Sequence, residues 1–135
     1  MKMDQTAALA GVRVLDLSRM LAGPFCTALL ADMGAEVITV EAPGVGDDAR
    51  QFAPRQGGES GYFMLLNRGK KSITLNLKSP DGLALLRRLA SKCDVLVENF
   101  KAGVTRRLGV DYPTLRAVNP RLVYASISGL GQSGR

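Results

Sequence analysis

Two β-rich segments joined by a helical segment, all between residues 12 and 41, constrain the fold more than any other feature. Residues 12–17, VRVLDL, are mostly apolar, and a loop at 18–23 leads to a predicted helix over 24–33. Pro24 suits a first helical turn, and Gly34 suits a left-handed helix end. EVITVE, residues 36–41, predicts the second strand. The three segments predict a βαβ unit, in which the two strands run parallel.

The same alternation continues along the chain. Residues 42–61 are rich in Gly and Pro and predict one long loop, and residues 72–77 predict a third strand. Ser79 is a suitable N-cap for a helix that begins at Pro80. The buried stripe expected on that helix is made of Leu83, Leu86, Ala90 and Cys93.

Two more strands are predicted at 94–99 and 122–128, with short helices at 104–108 and 112–118 between them. Strands that alternate with helices predict an α/β fold with an open, mostly parallel, doubly wound sheet and helices on both faces. The length of 135 residues suits one domain.

The net charge of the chain limits the classes of molecule that it is expected to bind. Eighteen Lys and Arg against 12 Asp and Glu give a net charge of +6, which favours an anionic partner: nucleic acid, a phosphorylated cofactor or an acidic surface. Aromatic residues make up only 5% of the chain and are not interleaved with the basic residues, which disfavours nucleic-acid binding. A phosphorylated small molecule is therefore the preferred class.

Metal and membrane sites are not expected. Cys26 and Cys93 are far apart, and the chain has no His to complete a zinc site. The longest uncharged stretch, residues 20–31, is interrupted by Gly23-Pro24 and is too short to span a bilayer, and the N-terminus does not resemble a signal peptide. We therefore expect a reducing, cytoplasmic setting.

Ligands of open parallel sheets bind beyond the carboxyl ends of the strands. Here those ends are followed by residues 18–23, 41–46, Lys78, 99–101 and 129–134. The first turn, SRMLAGPF, lacks the GxGxxG fingerprint of dinucleotide sites, although Glu41 occupies the position of a ribose-binding acid. Lys70 and Lys71, which precede a strand, are expected to form an exposed charged turn.

The chain is expected to be an incomplete unit. The first helix is apolar nearly all round, so that something should cover both of its sides. The sequence also stops at GLGQSGR, a Gly-rich loop that directly follows a predicted strand.

Four motifs carry a resemblance to a known family. They are GVRVLDLSRMLAGPFCTALLADMGAEVITVEAPGVGDDAR, NRGKKSITLNLKSPDG, DVLVENFKAGVTRRLG and NPRLVYASISGLGQSG. In this order and spacing they strongly resemble the N-terminal part of the class III CoA-transferases, from about residue 9 onward. Formyl-CoA transferase and carnitine CoA-transferase belong to that family, and α-methylacyl-CoA racemase is a close relative.

The resemblance implies a Rossmann-like large domain that binds coenzyme A as a substrate, within a longer subunit that forms an interlocked homodimer. By that analogy Met20, Leu21 and Ala22 line the nucleotide, and Leu75 and Lys78 flank the adenine and phosphates. The remaining implied contacts are Asn99 and Phe100, which close the pocket, and Arg107, which reaches the 3′-phosphate region.

The resemblance also implies the chemistry. A family aspartate attacks an acyl-CoA, and the CoA is then carried to a free carboxylic acid through an aspartyl-CoA thioester. That aspartate is expected beyond Arg135, so we expect no catalytic residue in this chain and no activity of the chain alone.

Two alternatives stay open. One is a racemase, which uses a His and Asp pair; ENF at residues 98–100 favours the transferase over it. The other is a non-catalytic fragment for CoA binding or dimerisation.

At two positions the residue of this chain differs from that of formyl-CoA transferase. Leu21 stands where that enzyme has a glutamine, and Ala42 stands where it has an arginine. This disfavours a formyl or oxalyl substrate and favours a bulkier or an unassigned acyl group.

Overall fold

A computed structural model describes residues 7–133 of the chain. Seven strands lie within that range: β1 (Arg13–Asp16), β2 (Glu36–Glu41), β3 (Arg55–Gln56), β4 (Glu59–Ser60), β5 (Lys71–Thr74), β6 (Val95–Glu98) and β7 (Val123–Ser126). Five of them form one parallel sheet in the order β5-β2-β1-β6-β7. The chain first builds outward from β1 and then adds strands on its other side, which confirms the predicted doubly wound sheet.

The helices within the same range are α1 (Ala22–Asp32), α2 (Gly61–Asn67), α3 (Pro80–Ala90), α4 (Val104–Leu108) and α5 (Tyr112–Val118). The predicted capping of α3 is confirmed, because the Gly82 N–H donates to Ser79 Oγ over 3.1 Å. Gly34 adopts the expected left-handed conformation after α1, with φ of 98°. These ends follow local sequence signals.

Helices cover the sheet on both faces, as predicted, because successive strand side chains point to opposite sides. Val14 of β1 packs in a cluster with Leu30 of α1. The next residue, Leu15, belongs to a second cluster with Leu86 of α3 and Leu115 of α5. The sheet is thus the middle layer of a molecule with two apolar cores.

The prediction of a single long loop over residues 42–61 is wrong. A short 3-10 helix (Asp48–Gln51) follows β2, and β3 pairs with β4 as an antiparallel hairpin. Gly57 and Gly58 have φ of 59° and 88°, and two such residues make the tight turn that suits a hairpin. Helix α2, which was not predicted, starts directly after β4.

The exposed side of α1 is apolar. Phe25, Leu29 and Met33 are exposed, whereas the polar Thr27 is fully buried. The reason is that Thr27 Oγ1 donates a hydrogen bond to Asp16 Oδ2 in β1. The inner side of α1 is covered by the sheet, and its apolar outer side faces solvent.

None of the helices in residues 7–133 is both long enough and apolar enough to cross a bilayer.

Candidate functional site

A cavity of about 310 Å³ opens at the carboxyl ends of β1, β2, β5 and β6. Two cationic residues line it, Arg19 after β1 and Lys78 after β5, together with the aromatic ring of Phe100 after β6. Most of the remaining wall is apolar and includes Leu75. This is the edge of a doubly wound sheet at which small molecules bind.

A second cavity, of about 510 Å³, meets the first at Phe100, which belongs to both walls. Ala22 at the start of α1 and Asn99 after β6 also line it, and so does the Gly-rich segment 128–131 after β7. The two cavities together extend along the carboxyl edge from β5 to β7.

The structure brings most of the expected contact residues to these two walls: Leu75, Lys78 and Phe100 at the first, and Ala22, Asn99 and Phe100 at the second. Met20 and Leu21 lie in the loop before α1, are 45% and 53% exposed, and belong to neither wall. Arg107 is exposed on α4 and also lies outside both walls, although its neighbour Leu108 lines the first cavity.

Arg19 is a site residue that the sequence analysis did not single out. It is half-buried, and its guanidinium carbon lies 5.7 Å from the centroid of the Phe100 ring. A cation at this distance from an aromatic face is attracted to it. The signal was present, because Arg19 is the cationic residue of the loop that follows β1.

Asn99 is held by the backbone of the β1–α1 loop. Its Oδ1 accepts the Arg19 N–H over 2.8 Å, and its Nδ2 donates to the Arg19 carbonyl oxygen over 2.8 Å. The amide thus binds both polar groups of one residue, which leaves it one N–H and one lone pair. Asn99 therefore uses part of its hydrogen-bonding capacity to hold the loop, and only the remaining N–H and lone pair are left for a ligand.

Asp47, in the segment after β2, makes a second contact with the same loop. Asp47 is 3% exposed, and each of its carboxylate oxygens lies 3.2 Å from the Met20 nitrogen. Met20 has φ of 68°, a left-handed conformation that is uncommon for a residue other than glycine. Backbone strain of this kind needs support from the surrounding structure, and Asp47 provides it.

Glu41 lines the first cavity, but its carboxylate is already paired. Arg50 donates to it from Nε and from one terminal nitrogen, each over 2.7 Å, and Ser72 Oγ and the Asp47 N–H donate to it as well. The Arg50 hydrogen bonds in particular lower the pKa of Glu41 to about 2. Glu41 is thus a structural acid here, although it occupies the position of a ribose-binding residue.

The expectation of an exposed charged turn at Lys70 is wrong. Its side chain is 2% exposed, and its ammonium lies 3.2 Å from Asp16 Oδ2 and 2.9 Å from the Pro24 carbonyl oxygen. Burial lowers the pKa of Lys70, and Asp16 opposes that shift. Lys71 does agree with the expectation, since its side chain is 68% exposed and pairs with Glu36. Neighbouring lysines differ because they point to opposite sides of the chain at the start of β5.

Within residues 7–133, no three His, Cys, Asp or Glu side chains lie close enough together to hold a metal ion. The wall of the first cavity holds two cationic groups, an aromatic ring, mostly apolar side chains, Asn76 and the Glu41 carboxylate, which Arg50 already pairs. Such a wall suits an anion that carries a flat or apolar part.

Comparisons with known proteins identify the family. Residues 9–135 match the family described as CoA-transferase family III. The chain is 48% identical over 132 residues to the succinyl-CoA:glutarate CoA-transferase of Mus musculus, covering 97% of this chain and 30% of that protein. It is 50% identical over 127 residues to the formyl-CoA:oxalate CoA-transferase of Bradyrhizobium sp. (strain ORS 278), covering 93% of this chain and 30% of that protein.

A solved structure with the same fold is that of a CAIB/BAIF family protein from Brucella suis. It superimposes with a TM-score of 0.89 at 44% identity, over 96% of this chain and 35% of that one. The chain therefore spans about 30% of the length of the relatives it matches. Since the family match covers nearly all of the sequence, the chain belongs to CoA-transferase family III.

Proposed function

We propose that this chain is the N-terminal, coenzyme A-binding part of a transferase that moves CoA from an acyl-CoA to a free carboxylic acid. The observation that carries this proposal is the first cavity, in which Arg19, Lys78 and Phe100 converge at the carboxyl edge of a doubly wound sheet. The relatives that are named CoA-transferases support the same ligand.

The cavity wall fits the chemistry of CoA. CoA carries a 3′-phosphate and a diphosphate, which Lys and Arg bind through charge-assisted hydrogen bonds, and its adenine has a face that an aromatic ring can stack on. Coenzyme A as a whole needs more room than its nucleotide alone, and the second cavity continues from the first at Phe100. We propose that the nucleotide occupies the first cavity and that the arm extends toward the second.

The catalytic aspartate of the proposed reaction lies outside this chain. It would attack the acyl-CoA carbonyl and release the CoA thiolate, leaving a mixed anhydride. The thiolate would then attack the aspartyl carbonyl, which releases the first carboxylic acid and leaves an aspartyl-CoA thioester. The acceptor carboxylate would take the CoA through a second anhydride and regenerate the aspartate.

The buried aspartates of this chain support that placement. Asp16 is fully buried and accepts hydrogen bonds from Ser18, Thr27 and Lys70. Asp47 is 3% exposed and binds the backbone of Met20. Carboxylates that are buried and fully paired are poor nucleophiles, because attack would break those contacts.

Calorimetric titration of the 135-residue chain with CoA tests the proposal. We expect binding, and we expect Lys78→Ala to weaken it by about tenfold because one charge-assisted contact is lost. Lys92→Ala is the matched control, since Lys92 lies outside both walls. Absence of CoA binding by the unsubstituted chain would contradict the proposal.

An activity assay tests the position of the nucleophile. With succinyl-CoA as the donor and glutarate as the acceptor, the chain alone is expected to form no glutaryl-CoA. Turnover by the isolated chain would show that its own residues suffice and would contradict a nucleophile placed elsewhere. For the acyl group we propose one bulkier than formyl or oxalyl, because Leu21 and Ala42 stand where formyl-CoA transferase has a glutamine and an arginine.

We also propose that the protein assembles as a homodimer. The apolar outer side of α1, with Phe25, Leu29 and Met33 exposed, supports burial against another surface. Sedimentation of the chain and of a Phe25→Glu variant tests this: a dimer that the charge converts to monomer is expected, and a monomer at all concentrations would contradict it.

A further inference from the structure

The β1–α1 loop is held from two directions at consecutive residues. Asn99, at the end of β6, binds both backbone polar groups of Arg19. Asp47, in the segment after β2, accepts the N–H of Met20. The peptide that joins these two residues is thus held at both ends, and Met20 is in a left-handed conformation that needs such support.

This fixed backbone sets the direction in which the Arg19 side chain leaves the chain. It lines the first cavity and lies over the Phe100 ring. Among the ion pairs formed by residues 7–133, none includes Arg19. A half-buried guanidinium in a cavity wall, without a carboxylate partner, is suited to binding an anion that enters the cavity.

We infer that Arg19 binds a phosphate group of CoA, and that Asp47 and Asn99 are positioning residues that act through Arg19. The inference rests on the proposed function, since it needs CoA in the first cavity. Asn99 then contributes to affinity through the backbone of Arg19, and Asp47 through the backbone of Met20. Lys78 lines the same cavity from the segment after β5 and is not part of this loop.

Asp47 holds the loop as a hydrogen-bond acceptor. This role needs its oxygen atom and does not need its negative charge. Its Oδ1 accepts both the Met20 N–H at 3.2 Å and the Ala49 N–H at 3.0 Å. An asparagine in the same rotamer keeps that oxygen and loses only the second contact of Met20, the one to Oδ2, whereas an alanine loses both. Asp47→Asn should therefore preserve the loop, and Asp47→Ala should release it.

Calorimetric titration with CoA of the unsubstituted chain, Arg19→Ala, Asp47→Ala and the double variant tests the inference. We expect Arg19→Ala to weaken CoA binding by about tenfold to a hundredfold, as for the loss of a charge-assisted contact. Asp47→Ala should weaken it by about tenfold on its own and by less than about twofold when Arg19 is already alanine. Asp47→Asn should keep the affinity within about threefold of the unsubstituted chain.

A purely structural role of Asp47 predicts a different pattern. The loss from Asp47→Ala would then be the same whether or not Arg19 is present, and that result would overturn the inference. So would Arg19→Ala with unchanged affinity. If Asp47→Ala fails to fold, the Asn99→Ser variant replaces it in the same cycle, because serine cannot bind both polar groups of Arg19.

Titration with dephospho-CoA identifies the phosphate. If Arg19→Ala weakens CoA but not dephospho-CoA, Arg19 binds the 3′-phosphate; if it weakens both, Arg19 binds the diphosphate. Either result supports the inference. Failure of the unsubstituted chain to bind CoA overturns the proposed function and this inference with it, whereas binding without coupling between Asp47 and Arg19 overturns the inference alone.

Discussion

Gly23 shows at the scale of one residue why the loop beside the cavity has its shape. A Cβ atom at this position would lie 2.1 Å from Ser18 Cβ and 2.3 Å from Ser18 Oγ. Ser18 cannot easily move, because its N–H and hydroxyl both donate to Asp16 Oδ1 in β1. The start of α1 therefore approaches the end of β1 as closely as it does only because residue 23 has no side chain.

Gly23→Ala is expected to lower the free energy of unfolding by about 1–3 kcal/mol, since the added methyl group overpacks a fixed contact. Gly129→Ala is the control: nothing lies within 4 Å of a Cβ built there, so its effect should stay within about 0.5 kcal/mol. Urea unfolding followed by circular dichroism measures both. Equal stabilities of the two variants would show that the loop moves enough to accommodate the added methyl group at residue 23.

The charge state of Glu41 links stability to pH. Hydrogen bonds from Arg50 lower its pKa from 4.5 to about 2 in the folded chain. A depressed carboxyl pKa stabilises the fold above the unfolded value, and this contribution is lost as the pH falls from about 4.5 toward 2.

Glu41→Gln is therefore expected to lower the free energy of unfolding at neutral pH by on the order of 3 kcal/mol. The difference from the unsubstituted chain should shrink as the pH falls from about 5 to about 2, because Glu41 becomes protonated in both states. Urea unfolding at a series of pH values measures it. A difference that is the same at pH 7 and pH 2 would exclude Glu41 as the titrating group.

At the scale of elements, one buried ion pair joins three segments around the loop. Asp16 belongs to β1, the Pro24 carbonyl oxygen belongs to α1, and the ammonium of Lys70, the residue before β5, contacts both. Thr27 adds a hydrogen bond from α1 to the same carboxylate. Polar contacts thus fix the inner side of α1 to the sheet, while Phe25 on its outer side is 51% exposed.

Lys70→Ala is expected to lower the free energy of unfolding by about 3 kcal/mol, because it leaves the buried Asp16 carboxylate without its cation. Lys71→Ala is a matched control at the next position, where an exposed pair contributes less than about 1 kcal/mol. Urea unfolding of both variants at neutral pH compares them. Similar effects at the two positions would mean that the Lys70 ammonium is not buried.

At the scale of the whole molecule, the net charge of +6 and the two cationic groups of the first cavity both favour the binding of an anion. An excess of positive charge attracts an anionic ligand from a distance, and salt screens that attraction. The proposed ligand, CoA, is a polyanion. Its affinity should therefore depend on ionic strength more than that of an uncharged fragment of the same molecule.

Raising the salt from about 0.1 M to about 1 M shortens the Debye length from about 10 Å to about 3 Å. We expect CoA binding to weaken over this range and pantetheine, which lacks the phosphates, to be unaffected. Calorimetric titration at several salt concentrations measures both. A CoA affinity that is independent of salt would argue against phosphate contacts with Arg19 and Lys78.

Local signals explain how much of the fold could be predicted. Ser79, Pro80 and Gly34 sit at helix ends whose capping depends on neighbours a few positions away, and the structure agrees with them. The hairpin around Gly57 was missed although its signal was also local, because two glycines in a Gly-rich stretch indicate a loop as readily as a turn.

The site was less predictable, because its contacts join distant positions. Lys78 and Phe100 could be placed at the cavity from the strand ends alone. The role of Asn99 could not, since it depends on Arg19, 80 positions away. The burial of Lys70 likewise depends on Asp16, 54 positions away, and no feature of the local sequence separates Lys70 from Lys71.

The sequence by itself determined the alternating strands and helices, the parallel sheet and the edge of the sheet at which the cavities open, because periodicity, caps and strand ends are properties of neighbouring residues. Only the tertiary structure decided which polar residues face that edge and which support it. Glu41, Asp47 and Asn99 all lie near the cavity, yet their side chains are bound to Arg50, Met20 and Arg19. A polar group that is desolvated on folding must find a partner, and which partner it finds depends on the packing of segments that are far apart in the chain.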